Sequence, residues 1–216
     1  MSKEFLKKIL VPVDGSASSL MAEETTAVTA KKTKATVTVF TVRQEFELGY
    51  RLPSNIEDEI IGSLEQRAEK ILFEARALIK EEDVTIETKI SRSRDPASKI
   101  LELSKDHDLI VMGAHGENEK DPYALGSVTK KVMRHIVCPT LISKRVSALS
   151  NLLVCVDGSD HSVKALNYAI ELAQKMDSKV TLLNVQEWRI YDFSPKDAEK
   201  LGEQILSKAL NAVRKA

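Results

Sequence analysis

Short apolar runs alternate with stretches of helical periodicity through the first two thirds of the chain. The runs are rich in Ile, Val and Leu and predict buried β-strands, at residues 8–13, 35–42, 84–90, 109–112 and 140–143. Apolar residues spaced three and four positions apart predict helices between them, at residues 18–32, 53–80, 96–105 and 128–136. Ser18 or Ser19 is expected to cap the first helix. This alternation predicts an α/β fold, in which helices cover both faces of an open parallel sheet.

The same pattern starts again after residue 145, which indicates an internal duplication. Residues 152–185 align with residues 9–42 without a gap, so that the Asp-Gly-Ser motif at Asp157 matches the one at Asp14. A helical pattern over residues 195–215 then matches the long helix of the first copy. The second copy is therefore expected to contain two strands and two helices, without counterparts of the third to fifth strands.

We expect a complete nucleotide-binding domain over residues 1–146 and a partial second repeat over residues 150–216. Two strands and two helices make a marginal core, so the partial repeat is expected to need a partner. We expect it to dock on the first domain or on the same repeat of a second chain, which favours a homodimer. A truncated sequence is the alternative. The apolar strand positions that must be covered are Leu152, Val154, Leu182 and Val185.

Composition and charge exclude several classes of partner. Acidic and basic side chains balance at 32 each, so neither a nucleic acid nor a membrane surface is expected as a partner. No apolar run approaches the roughly 18 residues of a membrane-spanning helix, and the N-terminus lacks a signal-peptide pattern. The expected location is therefore cytoplasmic. Cys138 and Cys155 lack zinc-ligand spacing, and we expect both to be small buried residues.

The loop after the fourth predicted strand carries the candidate chemistry. It places Gly113, Gly116 and Gly126-Ser127 in the spacing G-x2-G-x9-G-S, directly before a helix. Glycines allow the backbone to approach an anion closely, and the amides of a first helical turn favour negative charge. Ligands of open parallel sheets bind at the carboxyl ends of the strands, where both Asp14 and Gly113 lie. If the first and fourth strands are neighbours, these two residues face one crevice.

Three segments resemble the universal stress protein family: VPVDGS near the start, VMGAHG after the fourth strand, and GSVTKKVMRHIVCPTLI after the loop. The glycine spacing is similar to that of the family's ATP-binding form, and the resemblance extends into the partial second copy. It implies a doubly wound α/β fold with strand order 3-2-1-4-5. It also implies binding of ATP or another adenine nucleotide with Mg²⁺, frequent homodimers, and a role in stress endurance.

The resemblance also implies roles for individual residues on the adenosine side. Asp14 would hydrogen-bond the ribose or lie near the metal-bridged phosphates. Adenine would lie beside Pro12, Val13 and Val42. Asp157 belongs to a copy without a glycine loop, so it is expected only to form a turn.

The phosphate loop implied by the resemblance begins at Met112 and Gly113. His115 would approach a phosphate or would remain an exposed loop residue, and Thr129 is a further neighbour. The residues expected to offer backbone N–H groups to the phosphates are Gly116, Gly126, Ser127 and Val128, with the hydroxyl of Ser127 in addition. The basic residues of the following helix are expected to form a solvated face; they are Lys130, Lys131 and Arg134.

The segment between Gly116 and Gly126 departs from this expectation. It holds Glu117, Glu119 and Asp121 against a single lysine, and carboxylates near a triphosphate repel it. The segment would point outward, or a divalent cation would screen the charge. The choice between ATP and a nucleotide with fewer phosphates stays open.

These features favour an ATP-binding stress-response protein. No set of residues qualifies as a base with a nucleophile, so at most slow Mg²⁺-dependent hydrolysis is expected. One alternative is a nucleotide-independent interaction or dimerisation module. A nucleotidyl-transferring enzyme is less favoured, because DGSDHS at residues 157–162 only partly matches a synthetase phosphate loop.

Overall fold

A computed structural model describes residues 5–45, 53–80, 83–116, 124–186 and 194–215 of the chain. The chain divides into two compact units, Met1–Ala148 and Leu149–Ala216. None of the helices within the described ranges is both long and apolar enough to cross a lipid bilayer.

The first unit alternates strand and helix from start to end, as the sequence predicts. Its elements are β1 (Lys8–Pro12), α1 (Ala17–Thr33), β2 (Thr36–Gln44), α2 (Ser54–Ile79), β3 (Ile86–Ser93), α3 (Pro96–Ser104), β4 (Leu109–Gly113), α4 (Ser127–His135) and β5 (Thr140–Ser143).

The five strands form one parallel sheet in the order β3-β2-β1-β4-β5, which confirms the expected topology. Strand β1 pairs with β2 on one side and with β4 on the other, with Ile9 opposite Leu109. Central strands of such a sheet are covered on both faces, and Ile9, Leu10 and Val11 are accordingly buried. The reversal of strand order falls between β1 and β4, where this fold class forms its ligand crevice.

Helices cover both faces of the sheet, and one of them is unusually polar. Helix α1 buries Thr25, Thr26 and Thr29. Each of these hydroxyls donates to the carbonyl four residues earlier, on Met21, Ala22 and Thr25 respectively, at 2.7–2.8 Å. Because each hydroxyl has an acceptor within the helix, this polar face can be buried without leaving a donor unsatisfied.

Two details of the first unit differ from the sequence prediction. The N-cap of α1 is Ser16, whose side chain accepts from the backbone N–H of Ser19, rather than Ser18 or Ser19. The chain reverses at Gly15 and so the helix begins earlier. Strand β3 extends beyond its apolar run to the polar Ser93, because it pairs with β2 out to Gln44 and needs no apolar cover as an edge strand.

The second unit repeats the first half of the first unit in its elements. They are β6 (Asn151–Cys155), α5 (Asp160–Met176), β7 (Lys179–Leu183) and α6 (Pro195–Lys215), with β6 and β7 paired in parallel.

The duplication extends to backbone conformations that are rare outside glycine. Leu6 and Leu149 have φ of 58° and 53°, and the helix C-caps Lys34 and Asp177 have φ of 58° and 57°. Both pairs are separated by the offset that aligns the two sequences. Left-handed residues are costly for side chains other than glycine, so their recurrence indicates that both copies use the same chain path.

One face of the two-stranded sheet is covered from within the second unit, which corrects part of the prediction. Leu152, Val154 and Leu182 pack into an apolar cluster with residues of α5 and α6, so they need no external partner. The opposite face carries Leu153, which is 62 % exposed, and Cys155, which is exposed rather than buried as expected. Side chains alternate along a strand, and the position of the two helices decides which set is covered.

A pair of neighbouring substitutions tests this assignment. Val154→Ala should lower the free energy of unfolding of the second unit by about 1–3 kcal/mol, because it removes buried methyl groups. At protein concentrations where the chain is monomeric, Leu153→Ala should change it by no more than about 0.5 kcal/mol. Denaturant unfolding followed by far-ultraviolet circular dichroism measures both. An equal loss for Leu153→Ala would show that another surface covers this face.

Candidate functional site

A cavity of about 1050 Å³ opens at the carboxyl ends of β1, β2 and β4 in the first unit. Strand order brings these three ends side by side although they are far apart in sequence. The structure places every residue of the predicted site on its wall: Pro12, Val13, Asp14, Val42, Met112, Gly113, His115, Gly116, Gly126, Ser127, Val128 and Thr129. The geometry therefore groups these residues, while their roles toward a ligand stay predictions.

Asp14 combines a turn with a position on the cavity wall. Its Oδ1 accepts from the backbone N–H of Ser16 at 3.0 Å, and the turn passes through Gly15 at φ 81°. Asp157 makes the equivalent bond to Ser159 at 2.9 Å in the second unit, as expected for a residue that only forms a turn. Asp14 differs from Asp157 in the surroundings of its other carboxylate oxygen, Oδ2, which lies beside the glycine loop. A Cβ added to Gly116 would lie 2.8 Å from this oxygen.

Gly113 allows strand β4 to approach helix α1. A Cβ at this position would lie 2.7 Å from both the carbonyl carbon and the carbonyl oxygen of Ser18, closer than real Cβ atoms come to backbone. The backbone N–H of His115 also faces the Ser18 hydroxyl, at 3.4 Å. The loop after β4 is thus held against the first turn of α1. Gly113 is required first for packing, and any contact with a ligand comes in addition.

Helix α4 begins at the cavity, and its first backbone amides belong to residues that line the wall. Its N-cap is Gly126, which has no side chain to accept from those amides. The N–H of Gly126 donates to the carbonyl of Ala114 at 2.9 Å, and Thr129 Oγ1 donates to the carbonyl of Gly113 at 3.1 Å. These two bonds fasten the helix start to the end of β4. A helix start without a side-chain cap is suited to an anion.

Glu23 is a buried carboxyl behind this wall that the sequence analysis missed. It is 5 % exposed, and its Oε1 accepts from the hydroxyl of Ser19 at 2.8 Å. Burial raises the pKa of Glu23, and the nearby Asp14 charge raises it further, while the Ser19 hydrogen bond acts in the opposite direction. The aligned residue of the second copy is Leu166, which is buried. That internal difference is the sequence signal that could have revealed Glu23.

Ser19 and Glu23 form a hydroxyl–carboxylate contact of the kind that can activate a nucleophile. The aligned Ser162 occupies the same place in the second unit, where its N–H donates to Ser159 Oγ at 3.2 Å. Ser19 makes the same bond to Ser16 at 3.1 Å. A serine that recurs without the carboxylate and the glycine loop is explained by the turn, because in both copies its hydroxyl accepts from the backbone N–H of the motif aspartate at 3.4 Å.

Lys131 is exposed, as predicted, and it also lies on the cavity wall. Its Nζ donates to Asp95 Oδ2 at 2.5 Å, and both residues line the cavity. Hydrogen bonds from Lys131, and then from Ser98, lower the pKa of Asp95 to about 2. The pair joins the starts of α3 and α4 across the cavity rim. Its residues lie far apart in sequence, so no local pattern predicts it.

The remaining candidate groups give less information about a ligand. The predicted acidic segment with Glu117, Glu119 and Asp121 lies outside the described residues. Cys138 is partly buried, and burial together with the Asp108 charge raises the pKa of its thiol to about 11. Over the part of the chain that the structure describes, no three His, Cys, Asp or Glu side chains form a group able to hold a metal ion.

Comparison with known proteins gives one consistent result. Residues 6–144 and 149–216 match the profile of the universal stress protein family. A universal stress protein of Methanocaldococcus jannaschii is 33% identical over 143 residues, which cover 64% of this chain and 82% of the relative. The universal stress protein YxiE of Bacillus subtilis is 32% identical over 144 residues, which cover 62% of this chain and 97% of the relative.

A solved structure supports the same fold over nearly the whole chain. A universal stress protein from Archaeoglobus fulgidus superimposes with a TM-score of 0.72 at 22% sequence identity, covering 95% of this chain and 74% of that chain.

Glu23→Gln should stabilise the first unit at neutral pH by on the order of 1 kcal/mol, because it removes a buried charge and can keep the bond to Ser19. The folded state holds the Glu23 proton more tightly than the unfolded state, so wild-type stability falls as pH rises above the ordinary carboxyl pKa. The gain should therefore be larger at about pH 7 than at about pH 4. Urea unfolding at both pH values measures it, and a gain independent of pH would contradict the burial of a titrating carboxyl.

Proposed function

Because the chain belongs to the universal stress protein family, we propose that its first unit binds an adenine nucleotide in the cavity beside the glycine loop. ATP is the expected ligand, and ligand binding in a stress response is the proposed activity. Adenine would lie beside Val13 and Val42, and the phosphates would lie at the start of α4.

The observation that carries this proposal is the space kept free by two glycines at the start of α4. A Cβ at Gly116 would lie 2.8 Å from Asp14 Oδ2, and a Cβ at Gly126 would lie 3.1 Å from His115 Cα. The first residues of α4, Ser127 and Val128, line the cavity next to these glycines. Backbone amides at a helix start suit phosphate, and a carboxylate one strand away suits the hydroxyls of a ribose.

The charge of the cavity wall also favours an anionic ligand. Its cationic side chains are Arg43, Arg67, Arg94 and Lys131, against the carboxylates of Asp14 and Asp95. The positive side chains of the described wall thus outnumber its carboxylates, which favours an anionic ligand.

We propose binding with at most slow hydrolysis. The hydroxyl–carboxylate contact between Ser19 and Glu23 is explained by the turn that both copies share, and the contact between Ser98 and Asp95 belongs to the N-cap of α3. Mg²⁺ would reach the site on the phosphates of the nucleotide, because the described carboxylates form no cluster to hold it. In that arrangement the metal would supply the activation of water and the chain would supply orientation.

A second candidate function is interaction with another protein chain that does not depend on nucleotide. Exposed apolar residues of the second unit favour it. The uncovered sheet face of this unit carries Leu153, and the adjoining Val185 is 70 % exposed. We propose that this face supports the expected homodimer. Sedimentation velocity at micromolar concentration tests this, and a Leu153→Lys variant should shift a wild-type dimer toward monomer, because a charge would then be buried in the contact.

Gly116→Ala should weaken nucleotide binding at least tenfold with little change in stability. The added methyl group would meet only the end of the Asp14 side chain, which can move, but it would fill the cradle for a phosphate. The measurement is the rise in melting temperature with millimolar Mg-ATP, since a ligand selective for the folded state stabilises it by mass action.

Gly62→Ala is the matched control for this variant. Gly62 lies within helix α2, and a Cβ there would meet nothing within 4 Å. The control should keep the full ATP-dependent shift and gain about 1 kcal/mol of stability from helix propensity. An unchanged shift in Gly116→Ala would place the ligand elsewhere. Mass spectrometry of nucleotide retained through purification identifies which adenine nucleotide the protein selects.

A further inference from the structure

The cavity extends from the glycine loop past Asp14 to a second, arginine-lined end. Along the sheet edge the strands follow the order β4, β1, β2, β3, so the wall runs from Gly113 through Asp14 to Arg43 and then to Arg94. Arg67 lines the same end from helix α2. Adjacent strands lie about 4.8 Å apart, so Gly113 and Arg43 are separated by roughly 10 Å across two strand spacings.

Arg43 is built into this end rather than placed on the surface. It lies near the end of β2 and is only 9 % exposed. Within the described part of the chain, its buried Nε has no hydrogen-bond acceptor. A buried N–H that lacks an acceptor is costly, and an anionic group in the cavity could accept from the Arg43 Nε–H and remove that cost.

The paired position on the neighbouring strand shows the contrast. Arg92 lies opposite Arg43 in the β2–β3 register. It donates to Glu65 of helix α2 at 2.5 Å and is absent from the cavity wall. Arg92 therefore already supplies the ion pair that joins β3 to α2. Because Arg43 is not needed for that ion pair, the attachment of β3 to α2 does not explain why Arg43 is buried.

The second copy supplies an internal comparison. The residue aligned with Arg43 is Gln186. Gly15 lies next to Ile71 of helix α2, and Gly158 lies next to Ile205 of helix α6 in the same way. This match aligns the two long helices, and in that alignment Leu201 corresponds to Arg67. The copy without a glycine loop thus lacks both arginines, although it keeps the Asp-Gly-Ser turn. Both arginines therefore occur in the copy that has the cavity and are absent from the copy that shares its first elements but has no glycine loop.

We propose that this arginine-lined end binds a second phosphate group of the ligand, carried apart from the phosphate at the glycine loop. The ligand class is a nucleotide with two separate phosphates, as a nucleoside bisphosphate or as a dinucleotide. A cavity of about 1050 Å³ is at the upper end of the range for small-molecule sites, and arginine is the side chain best matched to phosphate. This inference rests on the proposed function, because the glycine loop must hold the first phosphate.

Isothermal titration of the full chain with three probes tests the proposal. AMP measures the glycine-loop site alone, whereas adenosine 3′,5′-bisphosphate and the linear dinucleotide 5′-phosphoadenylyl-(3′→5′)-adenosine add a second phosphate as a monoester or as a diester. The wild type should bind at least one of these two about tenfold or more tightly than AMP. The probe that binds more tightly shows whether the second phosphate is a monoester, as in a nucleoside bisphosphate, or a diester, as in a dinucleotide.

Arg43→Gln and Arg67→Leu introduce the residues that the second copy carries at these positions, so both should fold. Each should reduce the preference over AMP toward unity, because each should weaken binding of the larger probes by a greater factor than binding of AMP. Arg92→Gln is the control and should retain the full preference. If Arg43→Gln proves unfolded by circular dichroism, Arg67→Leu alone decides.

The outcomes separate the two proposals. Binding of AMP by the wild type with no preference for either larger probe would overturn this inference and leave the proposed function standing. A preference that persists in the folded arginine variants would also overturn it. Failure of the wild type to bind any of the three probes would overturn both.

Discussion

The site depends on a backbone contact between β4 and the first turn of α1. At Gly113 a side chain would collide with the carbonyl group of Ser18, so only glycine lets the two elements meet at this distance. That contact holds the following loop beside Asp14, and the Thr129 and Gly126 bonds then attach the start of α4 to the same strand end. A site made from main chain needs this close packing, because amides have no side-chain length with which to reach a ligand.

The internal duplication separates residues that serve the fold from residues that serve the cavity. The Asp-Gly-Ser turn, its capping serine and the left-handed residues recur in both units. Glu23, Arg43 and Arg67 do not recur; Leu166, Gln186 and Leu201 stand in their places. Glu23 and Arg43 are buried, and buried charges are costly in a folded core, so the unit with the cavity carries a cost that the other unit avoids. This pattern is expected where stability is given up for a binding site.

Much of this architecture could be predicted from the sequence because it is recorded in local patterns. Continuous Ile, Val and Leu runs such as 109–112 identify buried strands, and the gap-free alignment of residues 152–185 reveals the repeat. The glycine spacing likewise identifies one wall of the cavity, because close approach of the backbone requires glycine at fixed positions. The boundary of α1 was less accurate, because Ser16, Ser18 and Ser19 are equivalent as candidate caps until the path of the turn is known.

The sequence alone thus determined the order of elements, the duplication and the glycine loop, since each depends on neighbours along the chain. Only the tertiary structure decided that Arg43, Glu23 and Lys131 face the cavity or its supporting wall and that Cys155 lies exposed. Alternation fixes which side chains share a strand face, but not which face the helices will cover. That choice follows from how β2, α2 and the ends of β1 and β4 pack together, which no single stretch of sequence contains.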